Sequence, residues 1–180
     1  VARHRAHRVK TVLTHNGDGR FGYFGYGSGT DAPGLTLSQA EGTQVRHNTA
    51  LAHGHAVQAV RASGRRGTRV GPAENIDACI PAIDTPENVR AAEIALRELN
   101  ASYLNVIMEG KYTDAFLKYA GANAPKFTPE ELKIIGTPVD FLGLNIYAPQ
   151  HYVIASDKGA GFSLLPIPKS FPHMNSNWLR

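Results

Sequence analysis

A single cysteine, Cys79, stands among 180 residues, so no internal disulfide can form and the sequence is compatible with a reducing compartment. No apolar run approaches the roughly 20 residues that a membrane-spanning helix needs, and no membrane partner is expected. Nor does a signal-peptide pattern open the sequence, which makes cytoplasmic the expected location. Two basic clusters, Arg3, Arg5, Arg8 and Lys10 and then Arg61, Arg65, Arg66 and Arg69, lack interleaved stacking aromatics. They read as solvated charge, with no nucleic-acid partner.

Metal-ligand spacing is missing too. His53 and His55 are two apart and diverge on a helix, while His47 and His55 lie about two turns apart, so surface histidines and no metal or other cofactor are expected. Spacing nominates no carboxylate pair for acid–base work. Asp18 and Asp31 sit in a glycine-rich loop where turn formation is the usual duty of Asp, and Glu74 precedes Asn75 on a strand, so the two side chains point to opposite faces. Cys79 has no nucleophile signature and reads as a small core residue.

What is present is a globular composition, 42% hydrophobic and 19% charged, of a length suited to one domain. A strand from about Val9 to Asn16 feeds a glycine-rich loop ending at Gly34. A capping box, Thr36 with Gln39 or Ser38 with Glu41, starts a helix to about Ser63, with Val45, Thr49, Ala52, Ala56 and Val60 on one face. Gly64 is its expected stop. A strand at 68–76 is expected to be imperfect at Pro72. Thr85-Pro86-Glu87 opens a second helix with Val89, Ala92, Leu96, Leu99, Tyr103 and Ile107 on one face. Short helices at 114–119 and after Thr128, a strand at 139–147 and an extended piece at 152–155 follow, with loop expected after Gly159. Alternating strands and helices argue for α/β architecture with a parallel sheet. Asn16, Asn75 and Asn145 all fall near strand C-terminal ends, the face where such folds place their sites.

Gly17-Asp18-Gly19-Arg20-Phe21-Gly22 satisfies the dinucleotide pattern G-x-G-x-x-G. The pattern works only where a helix N-terminus meets the pyrophosphate, and Gly25, Gly27, Gly29 and Pro33 speak against a helix there.

Taken in order, four stretches resemble glycoside hydrolase family 1, the β-glucosidase-like retaining β-glycosidases. Val9-Lys10, Thr14 and Asn16 match the family's V-K-Y-W-x-T-x-N-E-P, and Gly25-Tyr26, Gly29 and Ala32-Pro33-Gly34 match the loop behind it. His47-Asn48, Leu51-Ala52-His53-Gly54 and Ala56-Val57 match the next helix. Val70-Gly71 to Asn75 looks like the fifth strand, and Asp140-Phe141-Leu142-Gly143-Leu144-Asn145-Ile146-Tyr147 like the sixth, D-F-L-G-x-N-Y-Y. The resemblance implies a partial (β/α)8 TIM barrel, strands four to six with their helices, forming a single incomplete domain over residues 1–180. It implies a β-linked glucoside or related small glycoside as substrate. Asn16 is then expected to bond the sugar beside the scissile bond, Tyr147 to lie near the nucleophile, and Asn75 and Asn145 to line the strand ends.

The same resemblance leaves the catalytic positions empty. Gly17 stands where the family has the acid/base Glu of N-E-P, Asp18 stands where it has Pro, and the T-E-N-G nucleophile motif does not occur in these residues. Retaining hydrolysis needs two carboxyl groups about 5–5.5 Å apart. The expectation is a glycosidase fragment without turnover of its own, its open sheet edges covered by self-association or a complementing chain. The alternative is a non-catalytic carbohydrate-binding or interaction protein.

Overall fold

A computed structural model describes residues 9–17, 21–147, 151–168 and 170–171. The chain divides into two compact units, Val1–Ile76 with Arg97–Tyr147 and Asp77–Leu96 with Ala148–Arg180.

The first unit is built on a parallel sheet of β1 (Thr11–Asn16), β2 (Arg69–Asn75) and β4 (Gly143–Asn145), in the order β1-β2-β4. Helix α1 (Gln39–Ser63) connects β1 to β2. Of the two possible capping boxes, Ser38 with Glu41 is the one that forms, and the chain leaves the helix at Gly64. Val57 and Val60 of α1 pack against Val12, Val70 and Val139, the crossover packing that holds a parallel sheet. The buried stripe of α1 runs through His47, Ala50, His53, Gly54, Val57 and Val60, whereas Ala52 is exposed. The stripe expected from Val45, Thr49, Ala52 and Ala56 is therefore rotated, because two histidines and a glycine belong to the core. Gly54 is there for contact: a Cβ on it would lie 2.2 Å from the Ile134 carbonyl oxygen, so the two helices approach more closely than any side chain permits.

Pro72 sits buried in the middle of the central strand, which it neither ends nor breaks. Leu13 pairs with Gly71 but Asn16 pairs with Ala73, so three steps along β1 match two along β2, and the ladder is irregular where Pro72 has no N–H to offer.

Helix α2 (Pro86–Leu99) starts after Thr85 as expected but buries Ala91, Ala92 and Ala95, leaving Leu96 exposed. A wider π-helical turn, Ala101–Asn105, then shifts the helical phase before Val106–Glu109. Tyr103, Val106 and Ile107 thereby join a core with Ala50, Tyr112 and Ile135. Helices α3 (Asp114–Ala120) and α4 (Pro129–Ile135) are capped by Thr113 and Thr128.

In the second unit, β3 (Cys79–Pro81), β5 (His151–Ala155) and β6 (Phe162–Leu165) form another three-stranded sheet, β5 and β6 antiparallel. Neither β3 nor β6 follows from the sequence pattern: β3 is only three residues long, and β6 lies where proline and glycine suggest loop. Cys79 packs with Ala91, Ala92, Ala95 and Val153, as a core residue should, and burial with the nearby Asp77 charge pushes its thiol up to about 11.

Candidate substrate-binding site

The C-terminal ends of β1, β2 and β4 bring three of the expected site residues together. Asn145 Nδ2 donates to Asn16 Oδ1 at 2.7 Å, and Asn75 and Asn145 are register partners on adjacent strands. Gly17 closes the group: its N–H donates to the Ala73 carbonyl at 2.9 Å, and a Cβ placed on it would lie 3.4 Å from Asn75 Oδ1. Its backbone has φ +70°, the left-handed region that a β-carbon disfavours. Tyr147, two residues beyond Asn145, is half exposed at 50%. Amides that both donate and accept suit sugar hydroxyls. Asp18, Gly19 and Arg20 lie outside the described residues, as do Arg3, Arg5 and Arg8 of the basic start. Between Phe21 and Gly25 a single wide helical turn forms in the loop expected to hold no helix.

Behind the asparagines lies a polar layer. Glu74, 1% exposed, faces away from them, as strand alternation requires, and its Oε1 lies 2.7 Å from His15 Nε2 without forming a hydrogen bond. The Tyr103 hydroxyl also meets His15 Nε2. Thr14 Oγ1 lies 2.7 Å from Nδ1 of His53, whose ring packs edge-on to His15 with centroids 5.3 Å apart. Burial, aided by His15, pushes the His53 pKa down to about 4, so this ring is neutral at neutral pH.

His47 and His53 are thus buried, each 1% exposed, where surface positions were expected. His47 Nδ1 lies 2.9 Å from the Tyr112 hydroxyl, and burial lowers its pKa as well. No role for His15 or Glu74 follows from the sequence; a buried Glu opposite a His emerges only once β1 and β2 are paired. Arg61, Arg65, Arg66 and Arg69 are all exposed, as expected, although Arg61 also pairs with Asp140 at 2.9 Å and Arg69 lies over the Phe141 ring. Asp140 Oδ2 accepts from the Val70 N–H at 2.7 Å, and Arg61 followed by this bond holds its carboxyl below the usual range. Among the described residues, no group of three His, Cys, Asp or Glu could hold a metal ion, and no helix is long and apolar enough to cross a membrane.

The sequence model of Glycosyl hydrolase family 1 matches residues 1–173. Beta-glucosidase 1B of Phanerodontia chrysosporium is 34% identical over 151 residues, 78% of this chain and 28% of the relative. Beta-glucosidase A of Acetivibrio thermocellus is 28% identical over 174 residues, covering 95% of this chain and 38% of its own length. The crystal structure of the β-glucosidase from Trichoderma harzianum superposes with a TM-score of 0.72 at 31% identity, over 92% of this chain and 38% of that one. The chain spans well under half the length of these relatives, and its sheets are open, a part of a (β/α)8 barrel. With its strand-end asparagines and open parallel sheet, the chain belongs to glycosyl hydrolase family 1.

Proposed function

We propose that residues 1–180 are one incomplete barrel domain of a retaining β-glucosidase, contributing strand-end amides that hold a β-glucoside or related small glycoside. The observation that carries this reading is the Asn145–Asn16 hydrogen bond at the strand ends, with Asn75 beside it and Tyr147 following. Asn16 contacts the sugar next to the scissile bond, Asn75 and Asn145 line the same floor, and Tyr147 borders the nucleophile's place.

These residues do not hydrolyse the bond unaided. Gly17 supplies no proton to a leaving group, and general acid–base help is typically worth 10²–10⁴-fold. A glutamate placed there would also meet the left-handed backbone, at a cost of roughly 1–2 kcal/mol. A complementing chain, or a second copy, covers the open sheet edges. A cytoplasmic location is part of the same proposal, and the lone Cys79 is compatible with it.

Assay of the purified chain on an aryl β-glucoside is expected to give no turnover; rates near those of an intact enzyme would overturn the reading. Thermal shift with glucose separates the second reading, a carbohydrate-binding module. A ligand that binds only the folded state raises Tm, so stabilisation favours the module and an unchanged Tm the incomplete barrel.

A further inference from the structure

The register of β1 against β2 assigns Glu74 and His15 a positioning role: we propose that this pair, Glu74 buried and His15 partly so, selects the bulged register that turns Asn16 toward Asn145. Side chains alternate along a strand, and Val12 faces the α1 core with Val57, Val60 and Val70. Leu13 pairs with Gly71. In an unbroken ladder the residue opposite Ala73 would be His15, and His15 would face the asparagine cluster. Instead Asn16 takes that place. Two consecutive residues, Thr14 and His15, face the α1 side, where Thr14 meets His53 and His15 meets Glu74 and Tyr103. One extra residue in a strand re-aims the side chains that follow it.

Glu74 is what makes the bulge worth its irregular ladder. Glu74 is 1% exposed, a buried polar side chain is costly away from other polar groups, and His15 Nε2, 2.7 Å from its Oε1, is a polar neighbour that the unbroken register would remove. Glu74 and His15 therefore act through Asn16 and are not themselves placed against a sugar. The functional consequence rests on the proposed sugar-binding role of Asn16, whereas the register itself does not.

The test is an NMR comparison of the 180-residue chain with its Glu74→Leu and Glu74→Gln variants, reading the contact between the Asn16 and Asn145 side-chain amides and the exchange of the Gly17 amide. Glu74→Leu is expected to lose the contact and the protection at Gly17, with His15 gaining contacts to Asn145. Glu74→Gln keeps the shape and is expected to show a second, minor set of resonances for residues 14–17; it serves where Glu74→Leu does not fold. Ile135→Ala, in the other core, lowers Tm and is expected to keep the contact, which separates positioning from general destabilisation. A folded Glu74→Leu, or failing that a Glu74→Gln, with a single set of resonances and the Asn16–Asn145 contact intact would overturn the proposal. Because these readouts need no ligand, they stand even where the sugar-binding reading fails.

Discussion

Helix α1 buries two histidines, His47 and His53, and the fold uses them differently. His47 lies in an aromatic pocket, its ring centroid 6.0 Å from those of both Tyr112 and Phe127, with the Tyr112 hydroxyl on one nitrogen and Glu131 3.7 Å from the other. All of these neighbours come from helices and the loops between them. Burial and Glu131 push the Tyr112 hydroxyl above its ordinary range, so it stays a neutral partner. His53 instead reaches a strand: it binds Thr14 and packs against His15, and through them it touches the end of β1 where Asn16 begins the site. Equal burial does not mean equal role. What differs is whether the polar partner belongs to the core or to the strand that carries Asn16 of the candidate site. Tyr103 connects the two regions, since its ring is in the His47 core and its hydroxyl meets His15.

The contrast breaks first, and with the largest effect, at Ile135. This fully buried side chain belongs to the core of Ala50, Tyr103 and Tyr112, and Ile135→Ala is expected to cost about 2–5 kcal/mol in chemical denaturation. If the two regions are distinct, stability falls while the Asn16–Asn145 contact remains.

Acidification tests both regions together. Burial holds His47 and His53 below their usual pKa of 6.5, His53 at about 4. The unfolded chain therefore takes up these protons first as the pH falls. Their contribution to stability is complete above about pH 6.5 and is lost as pH drops toward 4. Tm should decline through that window, and His53→Gln, which can still bond Thr14, should flatten the decline. A variant with the wild-type slope would show that His53 does not titrate as its surroundings require.

Gly54→Ala probes the helix that carries both histidines. With the Ile134 carbonyl 2.2 Å from the new β-carbon, α1 and α4 must separate, at a cost of about 1–3 kcal/mol measured by urea unfolding. A neutral result would mean that the helices part without loss. The smallest effect is expected at the strand end, where Gly17→Ala meets φ +70° and should cost roughly 1–2 kcal/mol. Unlike Gly54→Ala, it should also shift the Asn75 side-chain resonances, because the new methyl group abuts Asn75 Oδ1.

The parts of the fold that the sequence announces are those fixed by local chemistry. Ser38 with Glu41 and Thr128 with Glu131 form reciprocal caps, and both helices begin where these residues predict. The parts it hides depend on residues distant in the chain. Pro72 reads as an imperfection in its strand, but the extra residue in β1 opposite it is not visible locally. His47 and His53 read as surface residues, as His55 is, because polarity counts against burial until Tyr112 and Thr14 are found beside them. At the candidate site, strand position alone picks out three asparagines, and the structure brings Asn16, Asn75 and Asn145 to one set of strand ends. Alternation assigns Glu74 to the opposite face but cannot name its partner, which depends on a register shift that no local pattern records.

The Asn145–Asn16 bond has a geometric consequence. These residues lie on β4 and β1, which are separated by β2. Strands two apart in a flat sheet are about 9–10 Å from one another, and side chains standing perpendicular to it would stay that far apart. A 2.7 Å contact therefore requires the two side chains to lean toward each other across β2. The bond thus ties the two outer strands together over the end of the central one, through the same amides proposed to meet the sugar.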